Sequence, residues 1–163
     1  MPPASAAIPD IAIRPYAPED FERVAALMIE LQEFERGITP YRVPADREFA
    51  AWYIARLLRG LDETGGTLLV ASDGGTPCGY AAGYQEEEPE MRDHFFYIAE
   101  LVVAASHRGR GIGTRLIAAM EDLARAQGLG RVGIGVLSGS DRVYGLYRRL
   151  GYRDYAVKLR KPL

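Results

Sequence analysis

From Phe95 to Val103 the chain is apolar throughout except for one charge, Glu100. The run is too continuous for a half-exposed strand, so it predicts a strand buried on both faces. It is followed by Arg108-Gly109-Arg110-Gly111-Ile112-Gly113-Thr114 and then by a helix over Gly111–Gln127, with Ile112, Leu116, Met120 and Leu123 turned inward. Gly128 and Gly130 end that helix, and Val132 to Leu137 read as another strand. A strand, a tight turn, an amphipathic helix and a second strand can close only as a parallel pair with a right-handed crossover.

The remaining segments fit around this unit. Ile11 and Ile13 read as a short strand. A helix begins near Pro18, with Phe21, Val24, Leu27, Met28, Leu31 and Phe34 at helical spacing, and stops at Gly37 and Pro40. A second helix runs from about Pro44 to Gly60, and residues 61–66 read as a loop. Thr67 to Ala71 and Cys78 to Tyr84 read as a hairpin around Asp73-Gly74-Gly75. Glu86, Glu87, Glu88, Glu90 and Asp93 read as an acidic loop. Ser140 and Asp141 can cap a last helix through Val143, Leu146 and Leu150, closed by Gly151, before a final strand from Tyr155 to Leu159. The expected order is βααβββαβαβ, an α/β fold with a mixed sheet. With 163 residues, 48% of them hydrophobic, the chain is expected to form one domain over residues 11–163 behind a flexible segment, residues 1–10.

Charge and composition narrow the function. A net charge of −2 argues against nucleic-acid binding through a general basic field. The single cysteine, Cys78, excludes an intrachain disulfide and reads as a small core residue. His94 and His107 are too isolated for a metal site. No stretch has the length of a membrane span and the first ten residues lack a leader pattern, so a cytoplasmic protein is expected.

The glycine-rich loop carries the chemistry. Closely spaced glycines let several backbone N–H groups point into one concavity, and the helix that starts there adds unpaired N–H groups and a positive dipole end. Arg108 and Arg110 can add charge and Thr114 a hydroxyl, which suits a phosphate or pyrophosphate. A P-loop needs lysine before Ser or Thr, and the only lysines are Lys158 and Lys161. The dinucleotide spacing GxGxxG is absent from this loop. It occurs at Gly128, Gly130 and Gly133, but after a helix and before a strand, which is the wrong order.

With Arg108, Gly111 and Gly113 at their spacing, Glu100-Leu101-Val102-Val103 before them and Leu146-Tyr147-Arg148-Arg149-Leu150-Gly151-Tyr152 after them, the chain resembles the GNAT superfamily of N-acetyltransferases over nearly its whole length. The resemblance implies that acetyl-CoA is the co-substrate. Its pyrophosphate would lie on the N–H groups from Gly109 to Thr114, Ile112 included, and its pantetheine arm would pair with the backbone of Leu101 and Val103 as an added strand. That pose requires the two parallel strands to splay. N–H groups near Val102 and Val103 would stabilise the oxyanion.

By the same resemblance, Tyr147 is the expected proton donor to the leaving sulfur, with Tyr144 one turn earlier as the alternative. Glu100 is the candidate base, and burying a lone carboxylate without purpose is costly; the other reading is a carboxylate paired with an arginine or turned to solvent. Family members place a glutamate one position earlier, at Ala99. Ser140 replaces a common asparagine at the start of the last helix, weakening one coenzyme contact, and Val143 replaces a usual alanine. Only one strand is expected after Tyr152, so the acceptor pocket would be open or completed by a second subunit in a homodimer. The implied reaction is direct attack of a primary amine on acetyl-CoA in a ternary complex, with a small-molecule or protein acceptor. The acidic segment could draw a cationic amine such as a polyamine, an aminoglycoside or a lysine side chain, or simply be solvated. Trp52 and Tyr53 read equally as pocket or core residues. The competing function is a non-catalytic acyl-CoA-binding regulatory module.

Overall fold

The computed structural model describes residues 10–163; the expectation for the first ten residues lies outside them except at Asp10. The elements are β1 (Ile11–Pro15), α1 (Phe21–Arg36), α2 (Arg47–Thr64), β2 (Thr67–Asp73), β3 (Thr76–Glu88), β4 (Asp93–Val103), α3 (Ile112–Ala126), β5 (Val132–Ile134) and α4 (Asp141–Arg149). The five strands form one sheet in the order β1-β2-β3-β4-β5, antiparallel except for the parallel pair β4–β5. The mixed α/β fold is therefore as the pattern predicts.

The period of two in the strands sorts the core onto two faces. Leu68, Val70 and Tyr80 pack with Val24, Leu27 and Met28 of α1 and with Ala50 and Ile54 of α2. Leu69, Ala71 and Ala81 pack on the other face with Ile112, Leu116 and Met120 of α3 and Tyr147 of α4. Cys78 is buried in that second cluster, and its thiol donates to Ala71 O at 3.4 Å, as a core residue would.

A bulge in β4 controls the site. Ala82 pairs with Glu100 but the next residue, Gly83, pairs with Ile98, so Ala99 is an extra residue on β4. Phe96 and Ile98 face α3, and without the bulge Glu100 and Val102 would face it too. Instead Val102 joins the α1–α2 cluster. The bulge thus delivers Glu100 to the α1–α2 face.

Four expectations change. No strand forms at Tyr155 to Leu159: residues 152–163 have no regular structure, and Tyr155, Val157 and Leu159 are exposed. The observed order is βααβββαβα. Helix α2 continues through residues 61–64, because its αL cap is Gly65 and Gly60 is tolerated inside it. Glu86, Glu87 and Glu88 are not a loop but the end of β3, paired with Phe95, His94 and Asp93. Strand β5 spans Val132–Ile134 rather than reaching Leu137.

Candidate active site

Strands β4 and β5 pair only at Phe96–Val132, Tyr97–Gly133 and Ile98–Ile134. Past Ile98, β4 runs on to Val103 while the chain after Ile134 turns away. The splay opens a cavity of about 140 Å³ lined by Ala99, Glu100 and Leu101 on one side and by Gly135, Val136 and Leu137 on the other. Tyr147, Ser140 and Val143 close it from the α4 side, and Phe34, Glu35, Arg42 and Tyr53 from the α1–α2 side. Glu100 and Tyr147, far apart in sequence, therefore line one cavity that passes through the sheet. A second cleft, of about 420 Å³ and lined by Arg56, Arg59, Thr64 and Tyr84, meets the first at Tyr53, Ala99 and Glu100.

Glu100 is 9% exposed. Its partners are neither arginine nor solvent but two phenols. Tyr80 donates to Oε2 at 2.8 Å and Tyr53 donates to Oε1. Burial pushes the carboxyl above the ordinary 4.5, and the two hydrogen bonds pull it back down. Tyr147 is 6% exposed. Its hydroxyl makes no hydrogen bond among the described residues, and burial pushes its pKa up to about 12. It therefore stays protonated and able to donate. Tyr144 is different: its hydroxyl donates to Asp154 at 2.8 Å and 3.0 Å, and it does not line the cavity.

The glycine-rich loop lies beyond the end of β4. Gly109 and Gly111 have φ of +76° and +75°, and a Cβ on either would meet nothing within 4 Å. Conformation, not crowding, demands glycine there, and the space above the loop is open. No side chain caps α3 at Gly111, so the N–H groups of Ile112, Gly113 and Thr114 precede the first helical bond, from Arg115 N to Gly111 O at 3.1 Å. Ile112 contributes backbone only, since its side chain is buried in the core. Thr114 is exposed. These features fit a pyrophosphate.

The two arginines are held differently from the sequence expectation. Arg108 donates from Nε to Val103 O at 3.0 Å and pairs with Glu30 at 3.1 Å. Arg110 pairs with Asp73 at 3.1 Å, and His107 Nε2 lies 3.3 Å from the same carboxylate. Both guanidiniums are engaged by carboxylates from other elements, and Val103 O is taken by Arg108. The backbone groups that alternate toward the open edge past Ile98 are therefore those of Leu101 and the N–H of Val103. Ser140 is 9% exposed at the head of α4 and does not cap it with its side chain.

Sequence reasoning placed Glu100, Leu101, Ser140 and Tyr147 together but missed Tyr80, Glu35 and Arg42. Glu35 and Arg42 form an ion pair at 2.7 Å in the cavity wall. A charge at the C-terminal end of a helix face gives no sign in sequence that it will be enclosed. Of the two aromatics on α2, Tyr53 lines the cavity whereas Trp52 is 59% exposed. The acidic residues Glu86 to Asp93 line neither cleft; Glu88 and Asp93 pair instead with Arg131, each at 3.0 Å. Among the described residues no group of His, Cys, Asp or Glu is placed to hold a metal, and no helix is long and apolar enough to cross a membrane.

Residues 24–152 match the acetyltransferase (GNAT) family, and the chain belongs to that family. Two curated relatives, each an L-methionine sulfoximine/L-methionine sulfone acetyltransferase, are 35% identical in Pseudomonas paraeruginosa and 34% in Pseudomonas aeruginosa, over 108 residues in both. The matched region covers 63% of this chain and 56% of theirs, so the chain matches little more than half the length of these relatives. Among solved structures, a Bacillus halodurans protein superposes with TM-score 0.77 at 24% identity, covering 93% of this chain and 99% of that one. A Trypanosoma brucei acetyltransferase superposes with TM-score 0.70 at 20% identity, covering 94% and 100%. At these identities the structures speak for the fold.

Proposed function

We propose that the chain transfers an acetyl group from acetyl-CoA to a primary amine by direct attack in a ternary complex. The observation that carries this reading is the single cavity through the β4–β5 splay, with a buried carboxylate toward one face and a phenol toward the other. The coenzyme supplies the activated acetyl thioester. Backbone N–H groups from Gly109 to Thr114 hold its pyrophosphate, and the unpaired edge of β4 at Leu101 and Val103 aligns its amide-bearing arm.

An alkyl amine is charged below a pKa of about 10 and must lose a proton to attack. Glu100, whose burial raises its proton affinity, takes that proton. N–H groups near Val102 and Val103 face the developing negative charge on the carbonyl oxygen. Tyr147 then protonates the departing sulfur. The acceptor enters from the α1–α2 side, past Phe34, Arg42 and Tyr53, while the coenzyme occupies the α3–α4 side. The relatives' names make amino-acid derivatives the first acceptors to try; the acidic segment lines neither cleft and lends no support to a polycationic one. The test is thiol release from acetyl-CoA across a panel of amino acids and other primary amines. Amine-dependent release that falls by about 10²–10⁴-fold in Glu100→Gln supports the proposal, and release at the same rate in that variant contradicts the assigned base.

A further inference from the structure

Glu100 has donors on both oxygens and no cation on either. Tyr80, on β3, is 0% exposed and donates to Oε2 at 2.8 Å. Tyr53, on α2, is half-buried, lines both clefts and donates to Oε1. Around the carboxylate stand Glu35 of α1 and Arg42 of the α1–α2 connection, bound to each other at 2.7 Å, and Tyr147 across the cavity on α4, while Arg56, Arg59 and Glu63 of α2 and Tyr84 of β3 line the second cleft that also reaches Glu100. Glu35 and Arg42 act on Glu100 in opposite directions, Glu35 raising its proton affinity and Arg42 lowering it.

We infer that Tyr53 and Tyr80 are positioning residues that set the aim and the proton affinity of Glu100. The inference rests on the proposal that Glu100 is the base. A carboxyl buried this deeply with no donors would keep its proton into the neutral range and accept none. An arginine partner would err in the other direction, holding it far down and leaving a weak base. Two neutral phenols favour the ionised form without adding a charge. The two also have different tasks. Tyr80 is locked in the core and fixes the carboxylate's rotamer. Tyr53 stands at the junction of the clefts, so its bond to Oε1 is the one exchanged for the acceptor's amine.

The test is the pH profile of kcat/KM, with the side-chain carboxyl of Glu100 titrated in parallel by carbon-13 NMR. In Tyr53→Phe the acidic limb and the NMR midpoint should both move up by about one pH unit, the order expected for loss of one charge-assisted hydrogen bond. Tyr80→Phe should do the same, and Tyr53→Phe carries the test alone if loss of the buried hydroxyl impairs folding. In Glu100→Gln the limb should vanish, and adding Tyr53→Phe should then shift nothing. An unmoved limb and midpoint in Tyr53→Phe, with the limb still abolished by Glu100→Gln, overturns the inference and leaves the base assignment standing. A limb that survives in Glu100→Gln overturns both.

Discussion

A carboxylate taken from water costs several kcal/mol to ionise unless donors replace its hydration, by about 1.5–3 kcal/mol for each hydrogen bond to a charged group. Glu100 receives two such bonds and remains a group whose burial raises its pKa. In the window above the ordinary 4.5, the folded chain holds a proton that the unfolded chain has lost. The stability contributed by this group is therefore present below 4.5 and lost as pH rises through the folded value. Glu100→Gln should gain melting temperature relative to wild type as pH rises from 4.5, while kcat/KM falls by about 10²–10⁴-fold. Parallel thermal melts and steady-state kinetics check both signs. Tyr147→Phe should lower kcat by about tenfold or more with little change in acceptor KM, since its hydroxyl acts on the leaving group. Equal loss with a thioester of a much more acidic thiol, which needs no proton, would contradict that role. Glu100 and Tyr147 were visible in sequence, one as a lone charge in an apolar run and one by its motif. Tyr80 was not, because a tyrosine inside an apolar strand gives no sign of what its hydroxyl will meet.

The bulge at Ala99 decides which face of β4 carries the carboxylate. Deleting Ala99 should remove the bulge but leave Ile98 opposite Gly83 and Glu100 opposite Ala82, so Glu100 keeps its α1–α2 face and turnover that depends on it persists. Loss of all Glu100-dependent turnover in a variant that stays folded by circular dichroism would contradict this pairing. This register shift was not legible: Phe95 to Val103 is apolar on both faces, so its pattern carries no phase to shift. The glycine loop was legible, because glycine at φ of +76° and +75° leaves a direct mark in the sequence. What its arginines do was not, since Glu30 and Asp73 reach them from distant elements. The alternation at Tyr155, Val157 and Leu159 has the period of a strand, but the segment takes no place in the sheet. Its amides should exchange with solvent within seconds while those of β2 and β3 are protected, as hydrogen-exchange mass spectrometry would report.

At the scale of the whole molecule, the two helical layers and the open β4–β5 seam define one cavity, with Ser140, Val143 and Tyr147 on one side and Glu35, Arg42 and Tyr53 on the other. The strand–turn–helix–strand unit made this architecture readable, because chirality and burial leave that order few alternatives. The cavity wall opposite α4 was less readable, since it is assembled from Glu35, Arg42 and Tyr53 on two helices and a loop. The most direct test of the account is calorimetric titration with acetyl-CoA of wild type and of Gly111→Trp, whose bulky side chain would stand where the phosphates lie and force a side chain into φ of +75°. The account predicts saturable binding by wild type and none by the variant, with both folded by circular dichroism. Equal binding by the two would contradict the phosphate cradle, and no binding by wild type would contradict the proposed use of acetyl-CoA.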